Sequence, residues 1–234
     1  VILVIADATD EPALWLQRRL EPLVGMPVRR ITARQLVLGS RFRWHMTSDA
    51  SQSEVRLANG RLVATAQLAG VISRIQGLPT EPVARIAPAD RDYVESELHA
   101  LLLGWLAALP VPVLGAPSPS CLGGAWAAPA VARMLAAAAG LAADMSERPI
   151  WAAGHVAAIV LGGRIYGPLL PRPVMQALVR FAATYGGMVQ VTLNRSDNFA
   201  FVDATPYVDF QLGGSALLRT VAAMFQPLRA EVAE

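Results

Sequence analysis

The chain is 234 residues long, 54% hydrophobic and only 16% charged, and all 20 of its strong bases are arginine. Without lysine it cannot form a Schiff base, anchor pyridoxal phosphate or build a Walker-type phosphate loop. Its 20 cations stand against 18 anions and the arginines read as scattered, with Arg18-Arg19 and Arg29-Arg30 the only adjacent pairs and no basic stripe interleaved with aromatics, so nucleic acid is not an expected partner.

The apolar excess raises the question of a membrane. The two most apolar stretches, Leu98 to Leu109 and Ala125 to Ala143, are interrupted or ended by Pro110, Pro129 and Arg133. Neither reaches the ~20 apolar residues that a spanning helix needs, so no membrane segment is expected. The single cysteine, Cys121, excludes an internal disulfide and suits a reducing cytoplasm.

Val1 to Ile5 is a continuous apolar run, the pattern of a strand buried on both faces. Asp10-Glu11-Pro12 opens a helix that Gly25 ends, and Pro27 to Ile31 forms the next strand. This β-α-β start predicts a parallel sheet with a right-handed crossover. Asn59-Gly60 predicts an inserted β-hairpin, Glu54 to Leu57 against Leu62 to Thr65. Val71 to Ile75 returns to the sheet, and Pro79, Pro82 and Pro88 mark a loop.

A long helix is predicted from Asp90 to Leu109, then a strand from Val111 to Leu114 and an alanine-rich helix from Ala125 to Ala139, stopped by Gly140. Beyond it, Val156 to Leu161 and Arg164 to Tyr166 flank Gly162-Gly163 in a second hairpin. A helix from Pro173 to Tyr185, strands near Val189 to Leu193 and Phe199 to Asp203, and a helix from Ser215 to Phe225 complete the chain. The expected architecture is an α/β parallel-sheet domain over residues 1–145 and a smaller α+β lobe over 146–234. Trp105 and Trp126 are expected in the core, and Trp44 at the surface.

Candidate chemistry is sparse. His45, His99 and His155 lack the close spacing of a zinc site. Cys121 lies in the loop Ser118 to Gly124, where the reading divides between a half-buried thiol and a nucleophile ahead of a helix. Ser120, Gly123 and Gly124 of this loop could present backbone N–H groups to an anion. Asp203, at the end of a strand and beside Thr205, is a candidate cation ligand or a turn acid. The first strand–helix turn, Asp7 to Asp10, has no glycine, which argues against a dinucleotide fingerprint.

The order of three segments resembles the N-terminal part of ATP-grasp proteins, above all the ligases that modify ribosomal peptides. They are Ile72-Ser73-Arg74-Ile75, Asp90-Arg91-Asp92-Tyr93 followed by Glu97, and Trp105-Leu106 leading to Leu109-Pro110-Val111-Pro112-Val113-Leu114-Gly115-Ala116-Pro117; Ala139-Gly140-Leu141 matches the end of the family's following helix. His155 to Arg164 is similar to the hairpin after the family's nucleotide site, and Asp203-Ala204-Thr205-Pro206 stands where the family carries Glu-x-Asn-Pro for metal. The resemblance implies a pre-ATP-grasp-like domain over residues 1–145 and a truncated grasp core over 146–234. The lobe that closes over ATP would have to fit between Leu141 and Ala153, about a dozen residues, too few to fold one.

Phosphoryl transfer needs cations and Mg²⁺ on the developing charge. With the family's phosphate-binding lysines absent, the expectation is a degenerate ATP-grasp relative without a cofactor, kept as a binding module for a peptide or companion enzyme. The alternative is an active ATP- and Mg-dependent ligase. In it Arg74, Arg133 or Arg164 contacts phosphate, the Ser120, Gly123 and Gly124 loop supplies N–H groups, and Asp203 holds the metal. A third class is an unrelated small-molecule enzyme using the Ser120–Gly124 loop. The apolar composition also leads to the expectation of a homodimer.

Overall fold

The computed structural model describes residues 1–39, 41–46, 51–143 and 153–226. Strand β1 (Ile2–Ile5) leads into α1 (Glu11–Val24), whose first turn is capped by the Asp10 side chain accepting from the Ala13 N–H. Gly25 ends the helix at φ 65°, a left-handed conformation that glycine adopts without steric cost. Then come β2 (Val28–Ile31) and the short helix α2 (Ala33–Val37), which begins with a capping box between Thr32 and Gln35.

Three strands follow, β3 (Arg41–Met46), β4 (Ser51–Arg56) and β5 (Leu62–Ala64). The hairpin expected around Asn59-Gly60 is present as β4 and β5, and β3 extends it into a three-stranded antiparallel sheet. Strand β6 (Gly70–Ser73) returns to the parallel sheet. The proline-rich loop expected next contains a helix, α3 (Thr80–Ala84). Pro82 lies in its first turn, where the missing N–H has no intrahelical partner to lose.

Helix α4 (Arg91–Ala107) and strand β7 (Val113–Leu114) complete this half. The alanine-rich helix α5 (Pro129–Ala138) starts four residues later than its composition suggests. Ala128 precedes a proline and is held extended, with ψ 146°, so the helix cannot begin before Pro129. Strands β8 (His155–Leu161) and β9 (Arg164–Tyr166) form the second hairpin. Helix α6 (Arg172–Tyr185), strands β10 (Val189–Asn194) and β11 (Ala200–Thr205), and helix α7 (Phe210–Phe225) follow. Gly214 interrupts α7 at φ 54°, so its continuous part starts at Ser215, as expected.

The strands form a parallel sheet of order β2-β1-β6-β7, an antiparallel sheet of order β11-β10-β8-β9, and the small β3-β4-β5 sheet. Alternation along β1 sends Ile2 and Val4 to one face of the parallel sheet, Leu3 and Ile5 to the other. The first face packs on α1 and α7, which also cover Ile159 and Leu161 of β8. The second face packs on α4 and on Val55 and Val63 of the small sheet. The far side of the antiparallel sheet is covered by α5 and α6. One core therefore joins elements from both ends of the chain, and the Phe225 ring fills the space a β-carbon on Gly70 would need.

Trp105 is fully buried, as expected, whereas Trp126 is 47% exposed and is not a core residue. Trp44, expected at the surface, is half-buried against Gly104 of α4. The boundary expected near residue 145, Trp151 and most of the short Leu141–Ala153 segment fall outside the described residues. No helix among the described residues is long and apolar enough to cross a membrane.

Candidate functional site

In an open α/β sheet the C-terminal ends of the parallel strands are where ligands bind. In this chain the end of β6 carries Arg74, 3% exposed, and each of its three guanidinium nitrogens donates a hydrogen bond. Its Nε and Nη2 donate to the two Asp10 carboxylate oxygens at 2.7 and 3.1 Å, its Nη1 donates to the Val208 carbonyl at 2.7 Å, and its plane lies 5.4 Å from the Phe210 ring centre. The bidentate pair and the ring stacking exploit what distinguishes arginine from lysine. Arg74 thus ties the start of α1 to the segment leading into α7.

The loop holding Ser120, Gly123 and Gly124 lies beside this pair and is folded on itself. Ser118 and Cys121 exchange backbone hydrogen bonds at 2.8 and 3.0 Å, and Ser120 Oγ donates to the Trp126 carbonyl at 3.2 Å. Ser118 Oγ donates to the Gly124 carbonyl at 3.1 Å. Gly123 is pressed between Ile75 and Tyr207, so a side chain there would meet the tyrosine ring. Because α5 starts only at Pro129, the loop is not the first turn of a helix. Sequence reading places it there on composition alone, before the constraint of Pro129 is applied.

Cys121 Sγ is 2.9 Å from Tyr207 Oη, which itself donates to the Ile75 carbonyl at 3.0 Å. The phenol has one proton and gives it to the carbonyl, which leaves the thiol as donor to the phenol oxygen. Burial raises the Tyr207 pKa well above the usual tyrosine range, and the Arg74 charge offsets part of this. Tyr207 therefore remains a neutral, sequence-distant partner that no local signal announces.

Asp203 lies one residue past a β-bulge between β10 and β11, where the register shifts at Thr192/Leu193. The bulge re-aims side chains along β11. Burial raises the Asp203 carboxyl above its ordinary 3.8, and the Ala204 N–H and the Arg133 charge on α5 partly counter the rise. Tyr185 stands nearby, accepting from the Ala127 N–H and donating to the Ala204 carbonyl, each at 3.3 Å. Its own pKa is raised, first by burial and then, against the lowering effect of the Ala127 N–H, by the charges of Asp203 and Cys121. Arg133 Nε is buried with no hydrogen-bond partner among the described residues.

Arg164 is elsewhere. It begins β9, at the opposite edge of the antiparallel sheet from β11, about 14 Å away at the usual strand spacing. There it lines a depression over α7 with Tyr166 and Arg219. The structure therefore brings Arg74, the Ser120–Gly124 loop and Asp203 into one seam and leaves Arg164 out of it. His45, His99 and His155 lie on three separate elements, β3, α4 and β8.

A feature not read from the sequence is a cleft of about 570 Å³ past the ends of β1, β2 and β6. Asp7, Thr32, Gln35 and Leu78 line it, and the exposed pair Arg34–Glu81, at 2.7 Å, spans α2 and α3 beside them. Its parts are far apart in the chain, so only the fold assembles it.

Mg-ATP would require several oxygen ligands around the metal and cations aimed at the phosphates. Among the described residues no group of three His, Cys, Asp or Glu is placed to hold a metal. Asp203 offers one half-buried carboxylate, Arg74 is spent on Asp10, and Arg164 is remote. As placed, these residues do not fit the nucleotide.

No family model matches the sequence, and none of the curated proteins does. Solved structures are similar. The macrocyclase MdnC bound with precursor peptide MdnA, from Microcystis aeruginosa MRC, superposes with a TM-score of 0.68 at 10% identity, over 96% of this chain and 98% of that one. The Chryseobacterium gregarium RiPP-associated ATP-grasp ligase, in complex with ADP and a leader and core peptide, gives 0.65 at 10% identity over 96% of each chain. The ATP-grasp ligase PsnB with precursor peptide PsnA2 and AMPPNP gives 0.67 at 12% identity, again over 96% of each. At such identities the likeness is one of fold, and this chain has the fold of these ATP-grasp ligases.

Proposed function

We propose that this chain is an ATP-grasp-fold protein that binds a peptide and has lost ligase chemistry. The observation that carries the reading is Arg74. This arginine, one of three candidates to replace a missing phosphate-binding lysine, is buried, bidentate to Asp10 and bonded to the Val208 carbonyl. Freeing it for a triphosphate would leave a buried carboxylate and a carbonyl unpaired. Two features of the sequence support the same reading: there is no lysine, and the segment between Leu141 and Ala153, where the family resemblance would put the nucleotide-covering lobe, is only about a dozen residues long. A peptide is the favoured ligand because MdnC, PsnB and the Chryseobacterium ligase were each crystallised with precursor peptides.

The alternative, a carboxylate–amine ligase that contacts phosphate through arginine, has one observation in its favour. Among the described residues Arg133 Nε is buried without a hydrogen-bond partner, and the Arg133 charge acts on Asp203. Calorimetric titration with ATP and Mg²⁺ separates the two. No heat of binding is expected. Micromolar ATP affinity that disappears in Asp203→Ala would overturn the degenerate reading and establish the ligase.

A further inference from the structure

The β3-β4-β5 sheet has two unlike faces. Phe42 of β3 packs edge-on against Trp105 at 5.9 Å, Trp44 lies against α4, and Ser53 and Val55 of β4 are buried beside them. The other face is exposed and holds a different set. The register places Arg41 opposite Arg56, Arg43 opposite Glu54 and His45 opposite Gln52. A fourth cation, Arg61, stands in the turn next to Arg56.

Three arginines share this face with a single carboxylate. Like charges directly opposite each other on neighbouring strands are unfavourable. Glu54, opposite Arg43, is the one carboxylate on this face among the described residues; there Arg41 and Arg43 form no ion pair within 4 Å, and Arg56 gives one 3.3 Å hydrogen bond, to the Gly60 carbonyl. Strand β3 also pairs only with β4, so its second edge has no strand partner among the described residues.

We infer that this face and the free edge of β3 form a docking surface for an extended, acidic peptide segment. A strand added alongside β3 meets Arg41, Arg43 and His45 at every second position. Acidic residues alternating along the peptide would therefore each find a basic partner on one side of the sheet. Charge complementarity selects the sign, and the free edge selects an extended backbone. Single-stranded nucleic acid is a poorer match. Its binding depends on aromatic stacking, whereas Phe42 and Trp44 point into α4 and Glu54 sits among the arginines. The inference rests on the peptide-binding reading and adds a location and a ligand chemistry to it.

The test is fluorescence anisotropy with a labelled peptide alternating glutamate and threonine, its glutamine counterpart, and an oligothymidine strand. The glutamate peptide is expected to bind, to weaken as ionic strength rises, and to lose roughly tenfold or more in affinity with Arg41→Glu/Arg43→Glu. Arg56→Glu, on the neighbouring strand, is expected to act in the same direction. These side chains are exposed, and an unchanged thermal midpoint in each variant separates lost binding from lost folding. Equal binding of the glutamine peptide, or indifference to both charge reversals, overturns the proposal. Tighter binding of the oligothymidine through the same arginines overturns it in favour of nucleic acid. The ATP titration above reads neither edge strand nor arginine face, so failure of the ligase-loss reading and failure of this inference are separate results.

Discussion

At the end of β6 one arginine is entirely consumed by its surroundings; on the β3–β4 face three arginines are left to the solvent. Burying Arg74 is tolerated because Asp10, the Val208 carbonyl and the Phe210 ring replace the water it lost. Arg41, Arg43 and Arg56 keep their hydration and have little to do with the fold. In a protein whose every strong base is arginine, residue count says little about ligands. What separates a structural cation from an available one is whether neighbouring acceptors have already taken its donors.

The sharpest way to break this contrast is to remove Asp10. Asp10→Ala leaves a buried guanidinium without its counter-charge and is expected to cost about 3–5 kcal/mol in urea unfolding. The double variant Asp10→Ala/Arg74→Met should recover part of that loss, apart from roughly 1 kcal/mol for the missing helix cap and about 1 kcal/mol for the Val208 carbonyl that loses its donor. If the double variant is as unstable as the single one, the pair is not the unit described above.

A smaller effect compares the two faces of one strand. Trp105 Nε1 donates to Ser53 Oγ at 2.7 Å in the buried layer, so Ser53→Ala strands an indole N–H and is expected to cost about 1–3 kcal/mol. Glu54→Gln, one residue along on the exposed face, should shift stability by no more than about 0.5 kcal/mol.

The pH dependence at Asp203 has a definite sign. Its folded pKa is raised, chiefly by burial, above the ordinary 3.8. The associated stability is complete below the unfolded value and drains away as pH rises through the folded one. Asp203→Asn should therefore flatten the loss that wild type shows above about pH 4 and gain relative stability at neutrality, as followed by thermal unfolding across pH. The smallest expected effect is Glu81→Gln at the exposed Arg34 pair, within about 0.5 kcal/mol.

Much of the fold was legible because its signals are local. The Asp10 cap, the Gly25 stop, and the Asn59-Gly60 and Gly162-Gly163 turns each act within a few residues. Helix α3 was hidden because Pro82 reads as a loop signal, although a proline in a first turn is compatible with a helix. The seam was harder to see. Arg74 finds Asp10 64 residues away and Val208 134 residues away, and no spacing rule reports such pairs. The Ser120–Gly124 loop was legible as a loop, but its burial against Tyr207 was not. The alternation Arg41-x-Arg43-x-His45 is local, but only the pairing of β3 with β4 and the packing of Phe42 on Trp105 show which face of the strand is left to the solvent.

The Phe225 ring, lodged where Gly70 has no side chain, bears on how the protein is made. Strand β1 is synthesised well before α7, and the apolar face that includes Ile2 and Val4 is completed by that much later helix. Until α7 emerges, α1 alone covers this sheet face, and the part that α7 will cover stays exposed, the kind of surface that aggregates when left unattended. A chain that stops short of α7 therefore keeps apolar sheet surface, including the space beside Gly70, open to water.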